Sequence, residues 1–341
     1  MLETIWFVLW GVLWAVYFML DGFDLGLGAL LPFLAKKEEE KRILYNSMGP
    51  FWDGNEVWLI TAGGVTFAAF PRTYAVLFSS LYSALMLLLF CLIFRAVAIE
   101  FRGKQASPGW RKAWDACLTV VSAAAAILLG VAFANIFEGI PIDQDGVYQG
   151  TLLTLLNPYG LLGGALFLAL FLLHGSLWQA IKAQGALHER SARAARAIWP
   201  VLLVVAVVFL GATKFATSLW DNYFRYPLLL LVPLAAVAGL LGTRLFIARK
   251  AWWKAWFSSS LTIVAATLFG VLGLYPNLLP SSLDPAFSLT AANSASSALT
   301  LKIMLVVALV FVPIVILYQG WVYHLFRHKV TEKDLAYEEA H

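Results

Sequence analysis

Apolar residues fill nine long segments of the chain, and short polar or charged stretches separate them. The segments cover residues 5–33, 51–70, 75–99, 113–136, 159–181, 198–219, 227–248, 256–275 and 299–325. A helix needs about 20 apolar residues to cross a bilayer core of roughly 30 Å. A backbone in lipid must also satisfy its hydrogen bonds internally. The pattern therefore predicts an all-α integral membrane protein with about nine transmembrane helices.

Composition supports one polytopic membrane domain over residues 1–341. Hydrophobic residues make up 61% of the chain and charged residues 13%, whereas about 25% of a soluble domain is charged. The first segment is not expected to be a cleaved signal peptide, because Glu3 stands where a basic region is required and the apolar stretch is too long. Cys91 and Cys117 are isolated in apolar segments, which predicts neither a disulfide nor a zinc site.

Basic residues are concentrated in alternate loops. One set of loops and the tail carry Lys36, Lys37, Lys41 and Arg42; Arg102, Lys104, Arg111 and Lys112; Lys182, Arg190, Arg193 and Arg196; Arg249, Lys250 and Lys254; and Arg327, Lys329 and Lys333. The other loops contain only Arg72 and Arg225. The positive-inside rule predicts that the basic loops and the C-terminus are cytoplasmic and that the N-terminus is outside. The basic residues behind the small net charge of +4 are therefore interpreted as orienting the chain in the membrane, and no nucleic-acid partner is expected.

Two acidic residues lie inside the first apolar segment. An ionisable side chain at the centre of a membrane helix costs about 2.5–3.5 kcal/mol on insertion scales, so it usually has a task or a partner. Asp21 and Asp24 are three residues apart and share a helix face. Counted back from Phe33, they lie about 18 Å and 13 Å from the cytoplasmic end of the segment. Gly22 and Gly26 form a pair of small residues that permits a close neighbouring helix.

The next two segments bring further charges to the same half of the membrane. Asp53 and Glu56 open the second segment, and Arg95 and Glu100 lie near the end of the third. Titratable groups at graded depth that open to one compartment are what a proton half-channel requires. A structural interpretation stands beside this one. Acids in a first helical turn are favoured by the helix dipole, and Arg95 could neutralise a buried acid. Arg95 and Glu100 are five residues apart and do not share a face, so each is expected to pair with a residue of another helix.

Histidine usage argues against haem ligation by this chain. Haem iron usually takes a His, Met or Cys axial ligand. Among His174, His188, His324, His328 and His341, only His174 lies in a membrane segment. A single histidine on an apolar helix is more often a hydrogen-bonded structural residue. The chain is therefore expected to bind no cofactor and no metal. The Gly63-Gly64 and Gly163-Gly164 pairs are interpreted as helix-packing sites.

Several blocks of the sequence resemble subunit II of cytochrome bd quinol oxidases. The similarity runs over essentially the whole chain in one order, and the block that begins at Trp52 is the most specific. The blocks are Asp-Gly-Phe-Asp-Leu-Gly at 21–26, Trp-Asp-Gly-Asn-Glu-Val-Trp-Leu-Ile-Thr-Ala-Gly-Gly at 52–64, Phe-Arg at 94–95, Leu-Asn-Pro-Tyr-Gly-Leu-Leu at 156–162 and Leu-Pro-Ser-Ser at 279–282.

The resemblance implies a role in a respiratory complex of the prokaryotic cytoplasmic membrane. The family complex oxidises quinol and reduces dioxygen to water, takes its protons from the cytoplasm, and is electrogenic without pumping. Subunit I holds the haems of b and d type and the quinol site, and small accessory membrane subunits are further partners to consider. Subunit II is expected to fold as two four-helix bundles plus one peripheral helix.

The resemblance also assigns roles to residues of this chain. Asp21 or Asp24, together with Asp53 and Glu100, correspond to family positions implicated in proton delivery. Trp52, Glu56 and Arg95 belong to the same blocks and are expected to support them.

Two other functions remain open from the sequence. A proton-coupled secondary transporter would share buried acids and helix bundles but would be expected to act alone. A purely structural scaffold subunit would use the acids only for packing between helices. A haem-bearing partner would separate the oxidase from the transporter, and charge-neutral variants of the acids would separate a proton pathway from the scaffold.

The predicted orientation can be tested by cysteine labelling. A cysteine introduced into the 141–155 loop should react with a membrane-impermeant reagent added from the outside, because that loop lacks Lys and Arg. A cysteine in the 184–195 stretch should be protected from the same reagent. The reverse pattern would overturn the orientation.

Overall fold

The computed structural model describes residues 1–331 and residue 334; Lys333 and His341 lie outside the described residues. The described chain is almost entirely helical. Its helices are α1 (Leu2–Leu34), α2 (Glu38–Met48), α3 (Trp52–Ala69), α4 (Pro71–Ser80), α5 (Tyr82–Phe101), α6 (Pro108–Glu138), α7 (Pro158–Lys182), α8 (Gly185–Ala216), α9 (Leu219–Arg225), α10 (Leu231–Ala248), α11 (Trp252–Leu274), α12 (Ala291–Ser294) and α13 (Ala298–Leu325). Two short antiparallel strands, β1 (Asn277–Leu279) and β2 (Leu289–Thr290), pair Asn277 with Thr290.

Each of the nine predicted segments overlaps a long helix. Eight helices of the described chain are long and apolar enough to cross a membrane, namely α1, α5, α6, α7, α8, α10, α11 and α13. The remaining predicted segment, 51–70, forms α3 but is not among the eight. Its first two turns carry Asp53, Asn55 and Glu56, which lower its hydropathy.

The helices differ from the predicted segments in three places: two predicted loops are helical, and one predicted segment is divided into two helices. The basic loop after the first segment contains α2, whose apolar side is buried. Arg190, Arg193 and Arg196 lie on α8 and not in a loop, because this helix begins at Gly185. The predicted segment 75–99 is divided between α4 and α5. Hydropathy marks the part of a helix that sits in lipid, so it misses polar turns that continue beyond it.

The long helices form two four-helix bundles with one helix outside them. The first bundle contains α1, α3, α5 and α6, and the second contains α7, α8, α10 and α11. Helix α1 also packs along α7 and α11, so it belongs to the contact between the bundles. Helix α13 lies at the periphery, touches α1 and α3, and has only Leu301 fully buried.

Loops that the charge pattern groups together lie at the same end of the molecule. At the end with few basic residues, the amide of Ile140 donates to the carbonyl of Pro280, and the Thr4 and Tyr275 hydroxyls meet at 3.2 Å. At the other end, hereafter the basic end, the Arg190 guanidinium donates to the Leu34 carbonyl. The loops thus alternate between two ends as predicted.

Glycine allows α1 and α7 to approach closely. A Cβ atom at Gly26 would overlap the carbonyl oxygen of Phe171, and one at Gly175 would meet the backbone of Gly26 and Leu27. The predicted close neighbour of Gly26 is therefore α7. The packing role predicted for Gly63 and Gly64 does not hold within this chain, since no described atom lies within 4 Å of an added Cβ; both line an apolar cavity of about 950 Å³.

A Gly26→Ala variant should therefore destabilise the protein. The added methyl group must push α1 and α7 apart, and overpacking of this kind costs about 1–3 kcal/mol. Thermal unfolding of the detergent-solubilised protein should show a lower midpoint than wild type. Gly64→Ala is the matched control and should unfold like wild type, so equal midpoints for the two variants would contradict the packing described here.

Candidate functional site

A buried arginine joins the helices of the first bundle. The Arg95 guanidinium of α5 lies 2.7 Å from an Asp21 oxygen on α1 and 3.1 Å from a Glu56 oxygen on α3. Asp21 and Arg95 are 0% and 1% exposed, and the Glu56 side chain is 20% exposed. A cation in such surroundings requires compensating charge. Arg95 therefore pairs with acids of two other helices, Asp21 on α1 and Glu56 on α3, as predicted.

Asp24 belongs to a neighbouring set of hydrogen bonds. The Asn55 side-chain amide donates to Asp24 over 2.7 Å. The oxygen of the same amide accepts from the Tyr323 hydroxyl at 2.9 Å and from the Gln319 amide at 3.2 Å. Trp58 in turn donates to Gln319 at 2.8 Å. Asn55 thus connects the buried carboxylate of α1 to the peripheral helix α13.

The acids of this cluster outnumber its cations. Asp21, Asp24 and Glu56 supply three carboxyl groups, whereas Arg95 supplies the one guanidinium among the contacts of the described residues. Buried charge without a counter-charge is costly, so a neutral cluster must hold protons on some of its carboxyl groups or receive a cation from outside the chain. Both Asp21 oxygens, one Asp24 oxygen and two Arg95 nitrogens make no hydrogen bond to the described protein. Buried polar atoms of this kind commonly bind water.

The other predicted site residues lie outside the buried cluster. Asp53 is exposed in the first turn of α3, where its carboxylate accepts from the Gly54 amide at 2.6 Å. Glu100 is exposed near the end of α5, and Trp52 is half-buried at the start of α3. The structure therefore brings together Asp21, Asp24, Glu56 and Arg95, and leaves Asp53 and Glu100 at the surface of the chain near its basic end.

The sequence did not indicate several polar residues of the cluster. Asn55 lies inside the recognised block at 52–64, but it was not singled out because an amide carries no charge. Neither Tyr323 nor Gln319 of the last helix was expected to belong to the site. The signal that could have found them is the presence of polar residues spaced four apart on the last, otherwise apolar, helix.

A second ionic network closes the basic end. Arg102 binds Glu38 of α2 at 3.0 Å and Asp115 of α6 at 2.6 Å, and Lys41 binds Asp115 at 2.8 Å. Burial raises the pKa of Glu38, but the hydrogen bond from Arg102 and the charges of Arg102 and Arg111 outweigh it and hold that pKa below its ordinary value. This carboxylate is therefore ionised at neutral pH. The network fixes α2 against α5 and α6.

His174 is a hydrogen-bonded structural residue, as expected. Its Nε2 donates to the Met19 carbonyl at 3.1 Å, and its Nδ1 lies 3.1 Å from the Ser259 hydroxyl. The ring is fully buried and stacks on Trp256 with centroids 5.0 Å apart. Both ring nitrogens are thus occupied between α1, α7 and α11.

The fold and the cluster define a polytopic membrane protein that holds ionisable side chains inside its apolar interior. The family described as cytochrome bd terminal oxidase subunit II matches residues 2–326. The chain belongs to this family, and it is a subunit of a terminal respiratory oxidase. This finding favours the oxidase over the transporter that the sequence left open.

Curated relatives match along nearly the whole chain. Cytochrome bd ubiquinol oxidase subunit 2 of Bacillus subtilis is 36% identical over 98% of this chain and 98% of its own length. Cytochrome bd-I ubiquinol oxidase subunit 2 of Escherichia coli K12 is 35% identical over 98% and 96%. In the structure of bd oxidase from Geobacillus thermodenitrificans, a chain matches with a TM-score of 0.78 at 17% identity, covering 95% of this chain and 98% of that one. This last match supports the fold.

Removing Arg95 should destabilise the first bundle. An Arg95→Gln variant leaves the Asp21 and Glu56 carboxylates uncompensated, and breaking a buried pair on one side typically costs about 3–5 kcal/mol. The thermal unfolding midpoint of the solubilised complex should fall. Combining the change with Asp21→Asn should recover part of the loss.

The exposed Arg72 offers a matched control for this experiment. Arg72→Gln removes the same charge from the start of α4 and should unfold like wild type. If Arg95→Gln were as stable as Arg72→Gln, the ion pair would contribute nothing to the fold.

Proposed function

We propose that this chain supports a haem-bearing partner subunit and supplies it with protons from the cytoplasm. In the proposed reaction, two quinol molecules give up four electrons and four protons, while dioxygen takes up four electrons and four protons to form two water molecules. The names of the curated relatives, which are subunits of ubiquinol oxidases, support quinol as the electron donor. The acid-rich cluster of Asp21, Asp24, Glu56 and Arg95 carries the proposal of a proton route.

The haems are proposed to lie on the partner subunit. The described residues contain no group of three or more His, Cys, Asp or Glu that could hold a metal ion. His174, the histidine inside a membrane segment, has both ring nitrogens engaged. This histidine is therefore not free to ligate iron, and no step of the proposed reaction is assigned to a haem on this chain. Small accessory membrane subunits remain candidate partners on the strength of the family resemblance.

The proposed orientation places the basic end in the cytoplasm and the N-terminus outside, in the prokaryotic cytoplasmic membrane. The alternation of basic loops supports it. The cluster then lies in the cytoplasmic half of the membrane. Asn55 is three residues from the start of α3, or about 5 Å along the axis, and Arg95 is six residues from the end of α5, or about 9 Å.

The proton route is proposed to run from the exposed acids to the buried ones. Asp53 and Glu100 are exposed near the basic end, where they can exchange protons with solvent. Asp21 and Asp24 are buried more deeply, and their oxygens without a hydrogen-bond partner in the described protein can bind water that carries the proton onward. Arg95 holds Asp21 and Glu56 in place, and Asn55 orients Asp24. Electrogenic turnover without pumping follows if these protons are consumed on the partner subunit.

Charge-neutral variants test the route against the scaffold alternative. Asn has nearly the shape of Asp but cannot exchange a proton. Asp53→Asn should therefore assemble, keep its haem content, and lose quinol-dependent oxygen consumption by roughly 10²-fold. Asp21→Asn and Asp24→Asn should show which of the two buried acids carries protons, because the route needs only one of them, and Glu100→Gln tests the second surface acid.

Haem content is read from the visible spectrum, and turnover and proton uptake are read from oxygen consumption and external pH. Asp145→Asn is the matched control, because Asp145 is an exposed residue of the loop at the opposite end. Wild-type rates and wild-type proton uptake in every one of these variants would leave the scaffold role as the better explanation.

A further inference from the structure

Lys182 is a buried cation that the proposed proton route does not use. It is the last residue of α7 and is 2% exposed. In the part of the chain that the structure describes, no carboxylate lies within 4.0 Å of its ammonium group. The charge pattern of the sequence placed this lysine in a basic loop. A buried positive charge without a carboxylate partner is costly, so other groups must stabilise it.

The compensation comes from the end of the peripheral helix. The Lys182 ammonium donates to the carbonyl of Phe326, directly after α13, and to the carbonyl of His328 at 3.3 Å. The Lys182 carbonyl in turn accepts from the Val330 amide at 3.0 Å. The last carbonyls of a helix lack partners in the helix and carry partial negative charge, so a cation is favoured there.

Aromatic rings complete the surroundings of the ammonium group. It lies 5.2 Å from the centre of the Phe51 ring and 5.1 Å from the Trp178 ring. Phe51 also packs against Tyr323, with ring centroids 4.5 Å apart. Cation–aromatic attraction strengthens when the cation is removed from water. Lys182 therefore holds the basic end of α13 against α7 and against the residue that precedes α3.

Helix α13 has few other attachments. At its far end, Trp6 donates to the Leu301 carbonyl at 3.0 Å, and Leu301 is its one fully buried residue. Near the basic end it is joined to the first bundle through Gln319 and Tyr323. Tyr323 is three residues before Phe326, and Gln319 is four residues before Tyr323. A clamp at Phe326 therefore fixes the rotation of the turns that carry both donors.

These two donors decide which way the Asn55 amide points. Because its oxygen accepts from Gln319 and Tyr323, its nitrogen is turned toward Asp24. If α13 rotated or moved away, the amide could turn and present its oxygen to a carboxylate oxygen, which is unfavourable. The contacts thus run without a break from Lys182 through α13 and Asn55 to Asp24.

We infer that Lys182 is a positioning residue for Asp24, acting through α13 and Asn55. The inference rests on the proposed function, in which Asp24 belongs to the proton route. Lys182 itself touches no reacting group. Its contribution is to keep the Asn55 amide directed at Asp24.

The test compares Lys182→Met with Tyr323→Phe in the assembled oxidase. Each change should shift the pH at which oxygen consumption is half-maximal, in the same direction and by about 1–2 units, the size expected for one hydrogen bond to a charged group. The double variant should shift no further than the larger single shift, because both changes act through Asn55. Lys302→Met, on the exposed side of α13, is the control and should keep the wild-type profile.

Hydrogen exchange provides a readout that does not depend on turnover. Lys182→Met should accelerate deuterium uptake in the 326–331 stretch, whose Val330 amide is bonded to Lys182, and Lys302→Met should not. If Lys182→Met does not assemble, Lys182→Gln, which keeps a donor but no charge, should shift the pH profile in the same direction. Unchanged profiles in both Lys182→Gln and Tyr323→Phe, or additive shifts in the double variant, would overturn the inference.

The same measurements separate failure of the inference from failure of the proposed route. If Asp24→Asn keeps full turnover while Lys182→Met accelerates exchange at 326–331, the clamp on α13 stands and its link to proton delivery is refuted. If Asp24→Asn loses turnover while Lys182→Met keeps the wild-type pH profile, the route stands and Lys182 is no part of it.

Discussion

The cost of burying charge in an apolar environment organises the first bundle. Helix α1 carries Asp21 and Asp24 into the interior, where neither can be left without partners. Three other helices provide these partners: α5 supplies Arg95, α3 supplies Asn55 and Glu56, and α13 supplies the donors that orient Asn55. The two carboxyl groups of α1 therefore tie α3, α5 and α13 to it, in addition to the apolar contacts of the bundle.

Helix α1 has a second task, since it also joins the two bundles. Its polar residues face α3 and α5, whereas Gly22 and Gly26 allow α7 to approach on another side. These functions fit on one helix because acids and glycines alternate within the short block at 21–26. A shift of α1 relative to α7 would thus displace the buried acids as well. This coupling explains why the acids and the packing glycines occupy one continuous stretch of sequence.

Much of the fold could be predicted from the sequence, because the membrane imposes a simple rule on segment length and polarity. The rule located the long helices, but it missed α2 and the polar start of α8, which lie outside the apolar stretches. In the candidate site, charge identified Asp21, Asp24, Glu56 and Arg95, since buried charge is rare and expensive. It could not identify Asn55, Gln319 or Lys182. Neutral amides cost less to bury, and a lysine at a helix end looks like a loop residue until its partners are known.

Two ionic networks built from the same residue types differ in charge balance and in depth. At the basic end, the described contacts place Arg102, Lys41 and Arg111 against Glu38 and Asp115, so cations are in excess among these residues, and the low pKa of Glu38 keeps the acid ionised. In the buried cluster, Arg95 faces Asp21 and Glu56, with Asp24 close by through Asn55, so acids are in excess.

A network with surplus cations holds its acids ionised and can only brace helices. A buried network with surplus acids needs protons or a cation from outside the chain to be neutral, and a carboxyl group that binds a proton for this reason is a candidate to pass it on. The balance of charge, more than the presence of charge, is therefore what supports the proposed proton route through the buried cluster.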